Sequence, residues 1–230
     1  MHKIILSPPF SNIFCFYKHA TKILGTYTLK PRRGLWRVFS TLRLKTNGYT
    51  NRVGLRNPGV HKAPNKPCII SIAELEYGDF DKILDILSTK DRILGVEFNI
   101  SCPNASVIGV SEAVIQKAKS LFDIVIIKTP HLCLYSQLLD YVGTGVDYLH
   151  ISNTKPTKDG ALSGGELVEL NREKIEYVKS MYPHIKIIAG GGIYDNYTIQ
   201  QYRDSGADHF SLSTILLNPF KTYKLIKDNK

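Results

Sequence analysis

The stretch GVEFNISCPNAS, residues 95–106, starts as a short apolar run and ends in a turn built around Cys102 and Pro103. Short runs rich in β-branched residues and bounded by turn residues are typical of buried strands. Seven more occur along the chain, and amphipathic, helix-like segments separate most of them. The seven are KIIL (3–6), TYTL (26–29), CIISI (68–72), IVIIK (124–128), YLHIS (148–152), IKIIA (185–189) and HFSLS (209–213).

The alternation of strands with helical segments predicts the fold. Strands that are apolar on both faces indicate a parallel sheet covered by helices. Eight such units in 230 residues fit the α/β class and a (β/α)8 TIM barrel, with a doubly wound open sheet as the alternative. Residues 31–66 are rich in Arg, Gly and Asn, so we expect an extended loop excursion in place of the second helix. One barrel domain is predicted over residues 1–230.

Charge and cysteine content narrow the classes of protein. Thirty Lys and Arg against 20 Asp and Glu give a net charge of +10, and such an excess attracts anions. The basic residues are scattered, so a solvated surface explains them and nucleic-acid binding stays unsupported. The four cysteines form no CxxC pair and the seven histidines no HxxxH pair, so no metal site is expected.

The chain carries no sign of a membrane segment. No apolar run reaches the roughly 18 residues that a transmembrane helix needs. The first residues, MHKIILSPPFSN, contain too short an apolar stretch for a signal peptide. These features predict a cytoplasmic protein with free thiols.

The carboxyl ends of the predicted strands carry polar residues. Barrel enzymes place their chemistry on the loops that follow these ends. The ends are Lys30 after the second run, NISCPN (99–104) after the fourth, Lys128 after the fifth, SNT (152–154) after the sixth, GGG (190–192) after the seventh, and Ser213 with Thr214 after the eighth. Two lysines, several amides, a thiol and a glycine triplet on one rim predict a functional site.

The glycine triplet predicts an anion site. Glycine lets backbone N–H groups approach an anion with no Cβ in the way. With Ser213 and Thr214 at the neighbouring strand end, the triplet resembles the phosphate cup that barrels often build after strands seven and eight. The segment GALSGG (160–165) could close that cup, although each glycine run alone is more often a tight turn. The GxGxxG fingerprint of Rossmann folds is absent.

Lys128 and Cys102 are the reactive candidates. A lysine that ends an apolar strand is costly to bury without a negative or hydrogen-bonding partner, although a structural lysine that snorkels to solvent has the same sequence pattern. A lone cysteine is usually buried packing, but the unperturbed thiol pKa of about 8.5 is close enough to neutrality for a base. Asn99 and Asn104 supply neutral donors and acceptors able to read a planar ring of amides and carbonyls.

A series of motifs in family order resembles the dihydroorotate dehydrogenases, flavin-dependent barrel enzymes of pyrimidine synthesis. The motifs are GTYTLKP (25–31), NRVGLRNPG (51–59), NISCPN (99–104), IIKTP (126–130), ISNT (151–154), GALSGG (160–165), IIAGGGI (187–193) and GADHFSLST (206–214). They cover nearly the whole chain from Gly25 onward. The combination of SCPN with the asparagine of NPG makes the resemblance specific.

The resemblance implies FMN as the cofactor, dihydroorotate as the substrate and a role for each matching residue. Cys102 matches the family's base, which removes a proton from C5 of the substrate while hydride passes from C6 to the flavin. Substrate-binding positions are matched by Lys30, Asn57, Asn99, Asn104, Asn153 and Thr154. Flavin-binding positions are matched by Lys30, Lys128, Gly164, Gly191, Gly192, Ser213 and Thr214.

A cysteine at the base position resembles the soluble class, since the membrane-bound, quinone-using class carries serine there. The chain also departs from the family, which is typically some tens of residues longer. Its first strand runs into SPPF (7–10), where the family usually has a glycine-containing run, so we expect the two prolines to reshape the flavin edge. No helix is expected after Gly59, and the loop after SCPN is short.

Two other functions stay open from the sequence. A tRNA dihydrouridine synthase is also a flavin barrel with a reactive cysteine near an asparagine, and a net charge of +10 would suit RNA. Asn57, Asn104 and the lack of a following RNA-binding helical domain argue against it. The shortened chain also suits a non-catalytic remnant of the dihydroorotate dehydrogenase fold. The resemblance favours a homodimer and leaves the electron acceptor open among fumarate, a nicotinamide reached through a partner subunit, and oxygen.

Overall fold

The computed structural model describes residues 1–34, 41–45, 48–52, 54–102, 109–152 and 154–230. Twelve strands lie in these ranges. They are β1 (Ile4–Leu6), β2 (Thr21–Tyr27), β3 (Arg43–Lys45), β4 (Gly48–Asn51), β5 (Ile69–Ile72), β6 (Gly95–Asn99), β7 (Val125–Lys128), β8 (Tyr148–Ile151), β9 (Lys155–Thr157), β10 (Gly160–Gly164), β11 (Lys186–Gly190) and β12 (His209–Leu212).

Eight of the strands close into a barrel in the spatial order β1-β12-β11-β8-β7-β6-β5-β2. Every neighbouring pair is parallel. Each of the eight runs singled out in the sequence contains part of one barrel strand, so the (β/α)8 prediction is confirmed and the open-sheet alternative is wrong. Because the strands are parallel, their carboxyl ends all lie on one rim.

Helices cover the outside of the barrel. They are α1 (Asp79–Ser88), α2 (Glu112–Leu121), α3 (Tyr135–Gly143), α4 (Val168–Met181), α5 (Asn196–Asp204) and α6 (Pro219–Asp228). Local sequence fixes their starts: the side chain of Asn218 accepts from the backbone N–H of Lys221, and Pro219 occupies the first turn of α6. In the described residues, no helix is long and apolar enough to cross a membrane.

A loop excursion replaces the helix after β2, as predicted. Its described residues, between β2 and β5, contain β3, β4 and one turn of 3-10 helix, Val60–Lys62. The β4 strand pairs antiparallel with β10, giving a small second sheet of order β3-β4-β10-β9. The barrel order places β2 and β8 four strands apart in either direction. The small sheet therefore joins connections that leave opposite sides of the rim.

The apolar side chains form two separate cores. The larger core packs the outer faces of the strands against the helices and includes Phe80, Phe98 and Tyr202. The smaller one lies inside the barrel and consists of Ile5, Ile23, Ile69, Ile126 and Ile188.

Residues two positions further along several of these strands turn the same way and are polar. They are Ser7, Ser71 and Lys128, and the equivalent positions on the other two strands are Gly25 and Gly190, which carry no side chain. The barrel interior thus changes from an isoleucine layer to a polar layer directly below the rim.

Candidate active site

A cleft opens at the carboxyl-terminal rim, where barrel enzymes carry their sites. Polar and apolar residues share its lining. The polar lining consists of Tyr49, Asn51, Lys128, Ser152, Thr154, Ser163, Gly191, Gly192, Ser211, Ser213 and Thr214. The apolar lining includes Pro8, Pro9, Phe10, Leu42, Leu167, Ile193 and Ile215. Both prolines of SPPF therefore face the cleft, which agrees with the expectation that they reshape its edge.

Lys128 ends β7 and lines the cleft. Its register partners are Asn99 on β6 and His150 on β8, so the three side chains form one row across neighbouring strands. Glu97 lies on the same side of β6 as Asn99; burial raises the pKa of its carboxyl, and the positive charge of Lys128 is one of the effects that lower it. Lys128 is thus a cation at the cleft with a buried negative partner beneath it.

The glycine turn after β11 offers unpaired backbone donors. Gly191 and Gly192 have φ of 84° and 75°, in the left-handed region that favours glycine. A Cβ on Gly192 would lie 2.7 Å from the carbonyl oxygen of Gly164, so the turn packs closely on β10. Among the described residues, neither amide donates to a backbone carbonyl. Gly191, Gly192 and Thr214 line the cleft, whereas the hydroxyl of Ser213, which also lines it, donates to the Pro8 carbonyl at 3.0 Å. The anion site remains a prediction.

Cys102 follows the end of β6 and is half-buried. All four cysteines lie in the described residues, and none forms a disulfide. Three residues earlier, Asn99 is buried at the strand end and bonded on both sides of its amide. Cys102 therefore lies three residues beyond one member of the row formed by Asn99, Lys128 and His150.

Asn57 and Lys30 lie elsewhere. The buried Asn57 amide accepts from the backbone N–H of Thr28 and Gly59 and donates to the Thr28 hydroxyl and the Leu55 carbonyl. Lys30 extends into solvent and pairs with Glu76 at 3.1 Å. In this geometry the hydrogen bonds of Asn57 stabilise the loop excursion. The side chain of Lys30 lies outside the cleft. Their substrate and flavin roles remain predictions.

The other predicted positions divide in two. Thr154 lines the cleft, and Gly164 borders it through the contact with the Gly192 turn. Asn104 and Asn153 lie outside the described residues.

The polar layer below the rim contains groups that the sequence reasoning missed. Glu97 and His150 are fully buried, and the Glu97 Oε2 to His150 Nδ1 distance is 2.6 Å. Burial alone would raise the pKa of Glu97, but His150, Lys128 and a bond from Ser71 hold that pKa below its usual value. Burial lowers the pKa of His150, and Lys128 adds to this effect. Glu97 is therefore ionised and neutral His150 donates to it through Nδ1.

A signal for this layer was present in the sequence. Glu97 stands two residues before Asn99, so both side chains face the barrel interior, and His150 breaks the apolar run of β8. An acidic residue and a histidine inside otherwise apolar strands need buried partners.

The fold and this cleft define a (β/α)8-barrel protein with a cleft of mixed polar and apolar lining at its carboxyl-terminal rim. No family model matches the sequence. The chain is 29% identical over 226 residues, covering 84% of the chain and 81% of the relative, to dihydroorotate dehydrogenase B (NAD(+)), catalytic subunit, of Thermotoga petrophila. It is 27% identical over 233 residues to the protein of the same name in Endomicrobium trichonymphae, covering 86% of the chain and 74% of the relative.

Solved structures show the same fold. DHODH from Eimeria tenella in complex with ferulenol superposes with a TM-score of 0.75 at 16% identity, over 99% of this chain and 80% of that one. The ligand-free form gives a TM-score of 0.77, also at 16% identity, over 99% and 82%. The chain is therefore similar in sequence to proteins named dihydroorotate dehydrogenase and shares the fold of the solved ones.

Proposed function

We propose that this protein oxidises dihydroorotate to orotate in pyrimidine biosynthesis and that FMN occupies the rim cleft. The observation that carries the proposal is the strand register that places Asn99 next to Lys128 at neighbouring strand ends, with Cys102 three residues after Asn99 in the sequence. The relatives that bear the name of this activity add support over most of the chain.

The cleft suits a planar ring that carries a phosphate. Its apolar lining, with Pro8, Pro9 and Phe10, can cover a ring face, and the unpaired amides of Gly191 and Gly192 can bind an anion. We assign the phosphate to those amides with Gly164, Ser213 and Thr214, and the polar ring edge to Lys128. When bound there, FMN supplies the two-electron acceptor for the hydrogen at C6 of the substrate.

The residues beside the cleft supply the remaining chemistry. Cys102 takes the proton from C5 of the substrate, since a thiolate is a base of suitable strength near neutrality. The substrate ring is held by Asn99, Asn104, Asn153 and Thr154. The neutral side-chain amides of Asn99 and Asn104 suit its imide-like groups. Lys128 keeps a positive charge facing a substrate that carries a carboxylate.

Anaerobic reduction tests this function. Purified protein reconstituted with FMN is expected to be yellow and to bleach when dihydroorotate is added without oxygen. Protein that binds no FMN, or holds it without bleaching, would refute the proposal. The second outcome would favour the non-catalytic remnant.

The thiol is tested by Cys102→Ala with Cys15→Ala as its control. Both residues are half-buried and neither forms a disulfide, but Cys15 lies between β1 and β2, whereas Cys102 follows the end of β6. Cys102→Ala should retain FMN and lose roughly 10²- to 10⁴-fold in the rate of bleaching, the usual contribution of a positioned base. Cys15→Ala should bleach like the wild type. Equal rates in all three proteins would remove Cys102 from the mechanism.

The electron acceptor is proposed from the names of the relatives. Both are called catalytic subunits of an NAD(+)-linked enzyme, which implies a further subunit between the flavin and the nicotinamide. We expect that NAD(+) alone does not reoxidise the bleached protein. Adding fumarate, NAD(+) and oxygen one at a time after anaerobic bleaching checks this. Rapid reoxidation by NAD(+) alone would contradict the need for a further subunit, and rapid reoxidation by fumarate would contradict a nicotinamide acceptor.

A further inference from the structure

A continuous chain of hydrogen bonds runs from the buried pair of Glu97 and His150 to the rim. Ser71 donates to Glu97 Oε1 at 2.8 Å, and the hydroxyl oxygens of Ser71 and Thr26 lie 3.0 Å apart. Asn99 Nδ2 donates to the Thr26 hydroxyl at 2.7 Å. The Asn99 carbonyl oxygen accepts from the backbone N–H and the hydroxyl of Ser101, at 3.2 and 2.5 Å. These side chains come from β2, β5 and β6, and all five residues are buried.

The carboxylate sets the direction of every bond in this chain. An ionised carboxylate can only accept hydrogen bonds, so Ser71 must donate its single hydroxyl proton to Glu97. Thr26 must then donate to Ser71, which leaves the Thr26 oxygen as the acceptor for an N–H of Asn99. The Asn99 amide is thereby fixed with nitrogen towards Thr26 and oxygen towards Ser101.

This orientation limits what Asn99 can offer a ligand. Its carbonyl oxygen already accepts two bonds, and one of its two N–H groups is given to Thr26. Within the described residues, the second Nδ2 proton is the hydrogen-bonding group it has left. Asn99 therefore presents a donor, which recognises a carbonyl or carboxylate oxygen.

We propose that Glu97 is a positioning residue that acts through Ser71 and Thr26 to make Asn99 a hydrogen-bond donor at the site. The choice of orotate as the probe rests on the function proposed above, whereas the fixed orientation of the amide does not. The alternative is that Glu97 acts only as a counter-charge to Lys128. The two roles predict opposite results for one substitution.

That substitution is Glu97→Gln. A carboxamide can give its oxygen to His150 and its NH2 group to Ser71, which reverses the chain and turns the Asn99 oxygen towards Thr26. Positioning therefore predicts weaker orotate binding, by about tenfold, since about 1.4 kcal/mol for one hydrogen bond is a factor of ten. A counter-charge role predicts tighter binding, because removing a negative charge below Lys128 favours an anionic ligand. Binding of orotate to the FMN-loaded protein, followed by flavin absorbance, separates the two, and tighter or unchanged binding overturns the proposal.

The hydrogen bonds that connect Glu97 to Asn99 are tested by three substitutions: Thr26→Val, Thr26→Ser and Ser71→Ala. Thr26→Val removes the acceptor of the Asn99 amide and should weaken orotate binding about tenfold, whereas Thr26→Ser keeps the hydroxyl and should bind like the wild type. Ser71→Ala should weaken binding by a smaller factor. The matched control is Ser11→Ala, because the Ser11 hydroxyl is equally buried but donates to the Ile23 carbonyl, outside the chain. Equal affinity in Thr26→Val and Thr26→Ser would contradict the proposal.

A measurement without orotate separates failure of this inference from failure of the proposed function. The side-chain amide signal of Asn99 in ¹⁵N NMR spectra can be assigned by its loss in Asn99→Asp. In ligand-free protein, its Nδ2 protons should exchange slowly with water, and Thr26→Val and Glu97→Gln should speed that exchange. Unchanged exchange in both variants overturns the positioning role, even if the wild type oxidises dihydroorotate. Faster exchange supports it, even if orotate does not bind.

Discussion

Lys128 connects the cleft to the buried polar layer. Its charge helps to offset the ionised Glu97, so replacing it leaves the buried carboxylate with only its bonds to His150 and Ser71. We expect Lys128→Met to lower the free energy of unfolding at pH 7 by about 1–3 kcal/mol, less than for a fully buried pair because Lys128 is partly exposed.

Urea unfolding measures this, with Glu97→Gln and Lys128→Met combined as the control. Once the carboxylate is gone, the loss of Lys128 should cost much less, so the double variant should be more stable than the sum of the single effects predicts. Additive effects would mean that the two residues do not interact.

Single residues on the rim were predictable where their chemistry is visible one position at a time. Cys102 and Lys128 stand out at the ends of apolar runs. The direction of the Asn99 amide was not predictable, because it depends on Ser71 and Thr26 from two other strands. Nor does the sequence reveal that the side-chain amide of Asn57 is hydrogen-bonded to backbone groups of the loop excursion.

The turn after β11 brings an element-scale prediction. A Cβ at Gly192 would meet the Gly164 oxygen at 2.7 Å and the Val168 Cγ2 at 2.8 Å, on a backbone with φ of 75°. Gly192→Ala should lower the free energy of unfolding by about 1–3 kcal/mol and weaken FMN binding at least about tenfold.

The control is Gly143→Ala, near the end of α3, where a Cβ meets nothing within 4 Å. That change should be neutral or stabilise the protein by up to about 1 kcal/mol. Urea unfolding and FMN fluorescence titration check both variants. An FMN affinity of Gly192→Ala equal to that of the wild type would remove the turn from the cofactor site.

The opposite end of the barrel carries a stabilising ion cluster. Asp208, just before β12, accepts from the backbone N–H of Ile187 at 3.0 Å and from Lys179 and Lys186 at 2.9 and 3.1 Å. Burial raises the pKa of Asp208, but these three donors hold it below the usual value of 3.8.

This arrangement makes stability depend on pH in a defined direction. Because the folded-state pKa lies below the unfolded one, Asp208 contributes stability above about pH 4, and the contribution is lost as pH falls through the folded-state pKa. Asp208→Asn should cost about 1–2 kcal/mol at pH 7 and less at pH 3, where the carboxylate begins to take up its proton. Urea unfolding at the two pH values measures the difference, and a cost that does not vary with pH would contradict it.

Helices and strands were predictable from the sequence where they carry a clear hydrophobic pattern of their own. The helix DFDKILDILS coincides with α1, and α6 begins at its predicted proline. In contrast, β3 and β9 have three residues each, and β9 is fully exposed. The β4–β10 pairing joins residues about 110 positions apart, such as Asn51 and Ala161. No local pattern encodes such a pairing.

At the scale of the whole molecule, the barrel was predictable because eight apolar runs admit few arrangements. Closure of the barrel then brings the residues at the strand ends onto one rim, so no further sequence signal is needed to predict that they lie together. What the runs do not reveal is the polar layer between the isoleucine core and the cleft.

Ligand binding should stabilise the whole barrel, because the proposed FMN site collects residues from β7, β10, β11 and β12. At a concentration of 100 times its dissociation constant, FMN should add about 2.7 kcal/mol to the free energy of unfolding. Riboflavin, which lacks the phosphate, should stabilise less at the same concentration. Thermal unfolding with each compound tests this, and equal shifts would argue against a phosphate site at the glycine turn.

The pairing of β4 with β10 also constrains how this scaffold can diversify. Loops of most barrels can be exchanged one at a time, because each contacts mainly its own strand and helix. Here Arg52, at the end of β4, donates to the carbonyls of Lys158 and Asp159 in the turn between β9 and β10. A graft of either connection alone would leave half a sheet without its partner strand. The two segments should therefore be transferable between relatives only together, as one inherited unit.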